Sequence, residues 1–336
     1  MILRELALPV IGAPMAGVTT PALVGAVAEA GGLGMLAAGY RPPEQLADDL
    51  DTLDRAGHTR VGVNLFVPGA PTGAAAHVLA HRDRLAPVAH RRGVELPRPI
   101  PDDDGYAAKL ALVIERAVPL VSFTFGAPSR ADVQLLHRAV SAVAVTVTSA
   151  TEARHAVTVG ANLLVVQSHH AGGHRGTFDP ADPGGTEELA DLVAAVAAVA
   201  GPQVPLIAAG GVGDPATAER ALRAGATAVQ VGTLLLGADE AGTHPAYLKC
   251  LLDPARQVTV RTRVFTGRTA RGLRNRATDN WPEPPASYPE VHQLTRPLRA
   301  AAAAAGDPEE MSLWAGTGVG HVRRAPAARL LMDLFA

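Results

Sequence analysis

The feature that most constrains the fold of this chain is a series of short apolar runs, rich in β-branched residues, spaced along most of its length. These runs do not alternate polar and apolar residues, so they are typical of strands buried on both faces, as in a parallel sheet. Patterns typical of helices lie between most of them. The predicted strands are residues 9–14, 33–38, 60–67, 120–126, 142–148, 162–168, 204–211 and 228–233.

Helix boundary signals agree with this alternation. Thr-Pro at 20–21 and Asp-Pro at 214–215 each place an N-cap and a proline at the start of a helical pattern. Ser149 and Glu152 have the spacing of a capping box. Eight βα units in about 240 residues predict an α/β fold of the (β/α)₈ TIM barrel type. A doubly wound open sheet is the alternative, but no GxGxxG motif follows the first strand to support it.

Two regions interrupt the βα rhythm. Residues 68–118 form a long connection, rich in Pro, His and Arg, between the third and fourth strands. Residues 240–310 follow the eighth strand and hold no further βα unit. We interpret 240–310 as a small, mostly helical subdomain that covers the substrate over the carboxyl face of the barrel. Residues 1–239 and 311–336 would then form the barrel itself.

The composition argues against several classes of protein. The formal charge of −2 gives no electrostatic footprint for nucleic acid. Cys250 is the single cysteine, which rules out a disulfide framework and argues against a Cys-based zinc site. There is no basic segment before a long apolar core at the N-terminus, and no apolar run of membrane-spanning length. We therefore expect a cytoplasmic protein that acts on a small molecule, without a membrane partner, as a monomer or a homodimer.

Glycines follow the last two predicted strands. The seventh strand ends in the glycine-rich turn 210–213, and the eighth ends in Gly232 and Thr233. Such turns let backbone N–H groups approach an anion, as in the phosphate site that barrels often build there, although the same glycines can serve only as tight turns. Asn64 and Gln167 end two other strands. A phosphate site with amides nearby suits a phosphorylated cofactor such as FMN.

The stretch QSHHAGGHRGTF ends the sixth predicted strand and holds three histidines. A metal site is disfavoured, because His169 and His170 are neighbours and would point opposite ways along an extended chain. A polar loop without chemistry is the plainest alternative. A catalytic role fits His174 better, since the preceding Gly-Gly pair lets the backbone pass close to a flat ring and place an imidazole beside it. Arg175 would orient His174 or pair with an anionic substrate.

QSHHAGGHRG resembles the signature Q-G-x-E-A-G-G-H-R-G of the nitronate monooxygenase family, once called 2-nitropropane dioxygenases. PVIGAPMAGVTTP, VGVNLFVP, PLIAAGGVGD, AVQVGTLLLGADEA, FTGRTARGLRNR and MSLWAGTGVG also resemble family segments in their order. The resemblance implies an FMN-dependent barrel in which His174 is catalytic and no metal is needed. It implies that the residues in contact with FMN are Pro14, Met15, Ala16, Asn64, Gln167, Gly172, Gly173, Gly211, Gln230, Gly232 and Thr233.

The activity implied by this resemblance is oxidation of an alkyl nitronate, such as propionate 3-nitronate, by O₂ to a carbonyl compound and nitrite. His170 and Arg175 are the expected substrate contacts. The chain departs from the family pattern at Ser168, His170 and Thr317, where Gly, Glu and Gln are expected. These departures leave the substrate open.

Other functions stay open at this point. An NAD(P)H-dependent enoyl-thioester reductase of the enoyl-ACP reductase II type shares the A-G-G-H motif and FMN. A specialised flavin oxidase of secondary metabolism would tolerate the departures from the family signature. A flavin-binding protein without catalysis is the alternative from another class, and it predicts that replacing His174 changes no activity.

Overall fold

The computed structural model describes residues 2–69 and 74–336. Its main feature is a sheet of parallel strands that curls into a nearly closed barrel. A short strand outside the barrel, β7, follows the sixth barrel strand. In chain order these strands are β1 (Val10–Gly12), β2 (Met35–Ala37), β3 (Gly62–Phe66), β4 (Leu120–Thr124), β5 (Ala142–Val147), β6 (Leu163–Gln167), β7 (Gly173–His174), β8 (Leu206–Ala209) and β9 (Ala228–Val231).

The order of strands around the barrel is β1, β9, β8, β6, β5, β4, β3 and β2, and each neighbouring pair is parallel. Two hydrogen bonds close the remaining gap next to β2. The N–H of Leu33 donates to the carbonyl of Val10 at 3.0 Å, and the N–H of Gly12 donates to the carbonyl of Leu33 at 2.9 Å. The predicted TIM-type barrel is therefore confirmed, and the chain does not form the alternative open sheet.

Helices connect the strands and begin where the sequence places their caps. The Thr20 hydroxyl, the Asp214 carboxylate and the Ser149 hydroxyl each accept the N–H three residues on, which satisfies an otherwise unpaired donor. No helix in the described ranges is long and apolar enough to cross a membrane. The helices are α1 (Pro21–Glu29), α2 (Pro43–Arg55), α3 (Ala75–Arg92), α4 (Tyr106–Glu115), α5 (Arg130–Arg138), α6 (Ala150–Val159), α7 (Leu189–Ala200), α8 (Pro215–Arg223), α9 (Pro245–Leu252), α10 (Arg276–Asn280), α11 (Glu290–Ala304) and α12 (Ala327–Leu334).

The barrel has an inner and an outer hydrophobic layer. Ile11, Leu163 and Ile207 belong to the inner layer and are almost fully buried, and Leu3 from the short 3₁₀ turn Ile2–Glu5 joins them. A much larger cluster joins the outer faces of the strands to the surrounding helices. Because side chains fill the centre of the barrel, a ligand finds room at an end of the strands.

The connection 68–118 contains α3 and α4. Helix α3 packs against α11 in a hydrophobic cluster that includes Leu85, Val88, Leu294 and Leu298. The connection is therefore joined to the region that follows the eighth barrel strand, and the two pack on each other through a buried apolar surface.

The region 240–310 also contains two strands that the sequence did not predict. Strands β10 (Thr259–Thr262) and β11 (Ala270–Leu273) pair antiparallel, and β11 pairs with β7. They read TVRT and ARGL, which are too short and polar to give the alternating pattern of a half-buried strand. The pairing of β7 with β11 fixes the backbone of His174 against the region 240–310.

Candidate active site

A cavity of about 380 Å³ opens at the carboxyl ends of the barrel strands. Its walls include residues at or just after the ends of β1, β3, β4, β6, β8 and β9, which is where the sequence predicted a site. His174 lines it. The structure also brings every residue predicted to contact FMN to the lining of this one cavity: Pro14, Met15, Ala16, Asn64, Gln167, Gly172, Gly173, Gly211, Gln230, Gly232 and Thr233.

One end of the cavity is built mainly from backbone. We call this end the glycine rim and define it as Gly172, Gly211, Gly232 and Thr233, which line the cavity, together with Gly316, whose N–H donates to the Thr233 hydroxyl at 2.9 Å. Gly211 has φ +77°, where a side chain would strain the backbone. A Cβ on Gly172 would lie 2.5 Å from the nitrogen of Gly316. The backbones at these two positions can therefore approach this closely only because residue 172 has no side chain. The rim therefore offers peptide groups and the Thr233 hydroxyl to an anion.

Amide side chains lie between the rim and His174. The Nδ2 of Asn64 donates to the hydroxyls of Ser122 at 2.9 Å and of Thr124 at 3.0 Å. Gln230 lines the cavity, and its side-chain amide forms no hydrogen bond with any residue that the structure describes. A partly buried amide without a protein partner fits a ligand edge that carries donors and acceptors.

The amide of Gln167 is used differently. Its Nε2 donates to the carbonyl of His174 at 3.0 Å, and its Oε1 accepts the N–H of Gly176 at 2.8 Å. Both ends of the amide are thus engaged within the protein. Gln167 lines the cavity, but its bonds make it a residue that fixes the position of His174.

His174 lies among aromatic rings and has one polar side-chain partner. Its Nε2 is 2.9 Å from the hydroxyl of Thr266. The rings of Phe125 and Trp314 lie 5.6 and 5.4 Å from the imidazole, centroid to centroid. Burial, and then the nearby guanidinium of Arg268, lower the pKa of His174 to about 3. The imidazole is therefore neutral near pH 7, and Nδ1 is the ring nitrogen without a partner in the described parts of the chain.

Beyond His174 the cavity is bounded by aromatic and cationic side chains. The Tyr40 and His292 rings stack with centroids 4.1 Å apart, and the Tyr288 hydroxyl donates to that of Tyr40 at 3.0 Å. The guanidinium carbon of Arg268 lies 4.1 Å above the Phe125 ring, as in a cation–π contact. We call this group the aromatic–arginine wall. Four of its members line the cavity, namely Tyr40, Phe125, His292 and Arg299, and two contact these from behind, namely Arg268 and Tyr288.

The charges around the cavity are of one sign. Of the described residues that line it, none is Asp or Glu, whereas Arg299 is a lining cation. Arg299 contacts the Thr295 hydroxyl at 3.2 Å through Nε, and burial lowers its pKa to about 10, which keeps it charged near pH 7. Burial and the adjacent Arg299 lower the pKa of His292 to about 2, so that ring is neutral. The cavity therefore favours a negatively charged ligand.

The backbone of Tyr40 is held in a strained conformation. Its φ of +65° is unfavourable for a residue with a side chain. The Tyr40 N–H donates to Oδ1 of Asp104 at 2.8 Å, and Oδ2 of Asp104 pairs with the buried Nζ of Lys109 at 2.8 Å. Asp104 and Lys109 belong to the connection 68–118. That connection thus positions one residue of the aromatic–arginine wall.

The structure does not place the two predicted substrate contacts in the cavity lining. Arg175 is 5% exposed, and its guanidinium donates to the carbonyls of Gln167 and Thr148. His170 lies beside the glycine rim, with its Nε2 3.1 Å from Oε1 of Glu188. Arg175 therefore braces the end of β6, and His170 faces Glu188 outside the cavity.

The sequence analysis missed the aromatic–arginine wall. Its members come from distant parts of the chain and share no motif. One signal was present: only 4% of the residues are Phe, Trp or Tyr. In so aromatic-poor a chain, each ring is a candidate for the site, and the cavity is lined by Tyr40, Phe66, Phe125, Tyr247 and Trp314.

Sequence comparison connects this geometry to known proteins. The family model described as nitronate monooxygenase matches residues 2–336. Proteins named probable nitronate monooxygenase from Staphylococcus aureus strains MSSA476 and MRSA252 are 32% and 31% identical over 337 residues. In each case the match covers 97% of this chain and 93% of the relative.

Solved structures agree with this relationship. Nitroalkane oxidase from Streptomyces ansochromogenes superposes with a TM-score of 0.94 at 41% identity, covering 99% of this chain and 96% of that one. A mutant of FabK from Thermotoga maritima gives a TM-score of 0.74 at 26% identity, covering 99% and 92%. The chain belongs to the nitronate monooxygenase family, whose members are flavin-dependent oxidoreductases.

Proposed function

We propose that this protein is an FMN-dependent oxidoreductase that converts alkyl nitronates and O₂ into a carbonyl compound and nitrite. In the overall reaction two nitronates and one O₂ give two carbonyl compounds and two nitrites. Each C=N bond is replaced by a C=O bond that takes one oxygen atom of O₂, and each nitrogen leaves as nitrite. The observation that carries the proposal is the cavity around His174, which has no carboxylate among its described lining residues and has Arg299 in its wall. A nitronate is an anion, and such a cavity stabilises an anion where a carboxylate would repel it.

The residues present fit FMN. The cavity volume of about 380 Å³ lies within the range of small-molecule sites. The glycine rim would hold the phosphate through its peptide groups and the Thr233 hydroxyl. Gln230, whose amide has no partner among the described residues, and Asn64 would meet the edge of the flavin ring. FMN would supply electron transfer and reaction with O₂, which no side chain of this chain supplies.

The low pKa of His174 favours the nitronate over the neutral nitroalkane as the substrate. A base whose pKa is near 3 removes a proton from a neutral nitroalkane inefficiently near pH 7. A nitronate has already lost that proton. We therefore propose that the nitronate is the preferred substrate, although the similar Streptomyces protein is named a nitroalkane oxidase.

Hydrogen bonds around His174 support a binding role for its ring. The Thr266 hydroxyl lies 2.9 Å from Nε2 of His174 and 3.4 Å from the carbonyl of Arg268. When it donates to the nearer Nε2, Nδ1 carries the proton and can donate to a nitronate oxygen. The carbonyl of His174 is fixed by Gln167, so the ring is held at one position over the cavity. Arg299 stabilises the same negative charge from the wall.

The test is aerobic turnover by the purified holoprotein. We expect oxygen uptake and nitrite release on addition of a preformed nitronate without NADH, and slower turnover of the corresponding neutral nitroalkane. The cofactor released on denaturation should have the mass of FMN. Absence of both oxygen uptake and nitrite from a flavin-loaded protein would refute the proposed reaction.

An anaerobic experiment on the same holoprotein distinguishes nitronate oxidation from the alternative reaction, reduction of an enoyl thioester with NADH. Rapid bleaching of the flavin by NADH, followed by reoxidation with an enoyl thioester, would assign the site to enoyl reduction. We expect no rapid bleaching by NADH and reduction by the nitronate instead. A His137→Ala variant controls for the loss of a histidine outside the cavity, because His137 is on the outer helix α5 and contacts Asn162. We expect it to behave like the wild type in both experiments.

A further inference from the structure

We infer that His169, His170 and Glu188 form a binding site for one divalent transition-metal ion of the Zn²⁺ type. The site lies beside the glycine rim and outside the cavity lining. It is not needed for the proposed reaction. One ligand atom from each of the three residues lies within 4.8 Å of the other two.

The sequence argument against a metal site assumed that His169 and His170 point in opposite directions. In the structure they lie in a turn after β6, and their ring centroids are 3.9 Å apart. The Nε2 of His170 is 3.1 Å from Oε1 of Glu188. Tetrahedral zinc with bonds of about 2.1 Å separates its ligand atoms by about 3.4 Å. Glu188 is exposed, so a small side-chain rotation suffices to complete this geometry.

Hydrogen bonds to the other ring nitrogens fix the tautomer of His169 and are compatible with the tautomer that His170 needs to bind a metal. The Nδ1 of His169 is 3.2 Å from the carbonyl of Glu187, which can only accept, so Nδ1 carries the proton and Nε2 has the free lone pair. The Nδ1 of His170 is 3.2 Å from the hydroxyl of Thr317. Partners of this kind orient histidine ligands in metal sites and raise their affinity.

The three departures from the family signature meet at this site. Ser168 Oγ accepts the N–H of His170 at 3.3 Å, and the N–H of Thr317 donates to the carbonyl of His170 at 3.0 Å. Ser168 and Thr317 therefore both hold the backbone of His170, and the three residues that the sequence analysis singled out as departures lie together at the proposed site.

The charge balance around the group suits a divalent cation. Glu188 contributes a carboxylate, and Glu187 lies next to it in the chain. The nearby guanidinium of Arg271, whose Nε donates to the carbonyl of His169 at 2.8 Å, adds one positive charge against these two carboxylates. Two imidazoles and one carboxylate match the preferences of Zn²⁺ and Ni²⁺ over Mg²⁺, which prefers oxygen ligands.

A bound ion would connect two separate segments. His169 and His170 follow β6, whereas Glu188 directly precedes α7. The ion would fasten the loop that carries β7 and His174 to the start of α7. Because it binds the folded arrangement of the ligands, it raises the thermal unfolding midpoint by mass action.

The experiment is calorimetric titration of untagged, EDTA-treated holoprotein with Zn²⁺, followed by thermal unfolding with and without the ion. We expect one-to-one binding of Zn²⁺, none of Mg²⁺, and a higher unfolding midpoint with Zn²⁺. His170→Ala and Glu188→Gln should each weaken binding at least about tenfold and remove the thermal shift, and Thr317→Val should weaken binding about tenfold. Flavin content checks that each variant is folded.

The matched control is His321→Ala. His321 pairs with Asp214 at 3.3 Å and is more accessible than His170, but among the described residues it has only this one carboxylate partner. We expect His321→Ala to bind Zn²⁺ like the wild type. Failure of the wild type to bind Zn²⁺, equal binding by wild type and His170→Ala, or loss of binding in His321→Ala would overturn the proposal. None of these results depends on nitronate turnover.

Discussion

The two ends of the cavity are built in opposite ways. The glycine rim consists mainly of peptide groups at the ends of neighbouring barrel strands, and its geometry depends on the absence of side chains at Gly172 and Gly211. The aromatic–arginine wall consists of side chains from distant segments, placed by packing and hydrogen bonds. The difference teaches that cofactor binding and substrate binding can be separated by mutation, because each end uses its own kind of contact.

The largest effect is expected at His174, which lies between the two ends. His174→Ala should lower kcat/KM for a nitronate by about 10²–10⁴-fold, because the ring that contacts the substrate is removed. The flavin should stay bound, since the glycine rim is untouched. Steady-state oxygen uptake and the visible spectrum measure the two quantities. Turnover equal to that of the His137→Ala control would show that His174 is not needed for catalysis.

The second largest effect is expected at Arg299, where a substitution tests the aromatic–arginine wall alone. Arg299→Met should lower kcat/KM for a nitronate by about 10- to 100-fold through loss of a charge-assisted interaction, with flavin affinity unchanged. Arg299→Lys keeps the charge and should recover part of the activity. If both variants lose activity equally, the geometry of the guanidinium matters more than its charge. If flavin affinity falls with activity, the two ends of the cavity are not separable.

A smaller effect, on FMN affinity, is expected at Gly211, where a substitution tests the glycine rim alone. Gly211→Ala should weaken FMN binding about tenfold, because φ +77° is unfavourable for alanine, while kcat of the loaded enzyme changes little. Gly225→Ala is the matched control, since Gly225 also has positive φ, at +107°, but follows α8 away from the cavity. Fluorescence titration of apoprotein with FMN compares them. Equal FMN affinity in the two variants would contradict the assignment of the rim.

The smallest effect concerns pH. Burial and Arg268 lower the pKa of His174 to about 3, so its imidazole stays neutral until the pH falls toward that value. An ordinary histidine would become protonated near pH 6.5. We therefore expect kcat/KM for a preformed nitronate to change less than about twofold between about pH 5 and 8. A clear inflection near pH 6.5 that disappears in His174→Ala would show that the wall does not suppress protonation.

Much of the fold could be read from the chain because it rests on local rules. Strands buried on both faces appear as continuous apolar runs, and caps such as Thr20 and Asp214 mark where helices begin. Strands β10 and β11 escaped prediction, because short polar strands are stabilised by pairing with β7 and carry no hydrophobic period of their own. The family assignment was likewise readable, since it depends on motifs in a fixed order.

The glycine rim and the aromatic–arginine wall also differ in how far the sequence could predict them. Residues of the rim follow directly from strand ends and from the family signature, so Gly211, Gly232 and Thr233 could be located from the sequence alone. The wall could not be found that way, because Tyr40 and His292 are far apart in sequence and stack only in the folded chain. The side-by-side arrangement of His169 and His170 was also hidden, since a turn replaced the expected extended backbone.

The sequence by itself determined the barrel, its helix boundaries and the position of His174 at the end of a strand. These features depend on hydrophobic period, turn residues and strand order, which are local properties of the chain. Only the tertiary structure decided that Gln167 holds His174, that Arg175 faces away from the cavity lining and that no acid among the described lining residues faces His174. The physical reason is that directions of side chains, and the pKa values that follow from burial, are set by contacts between distant segments.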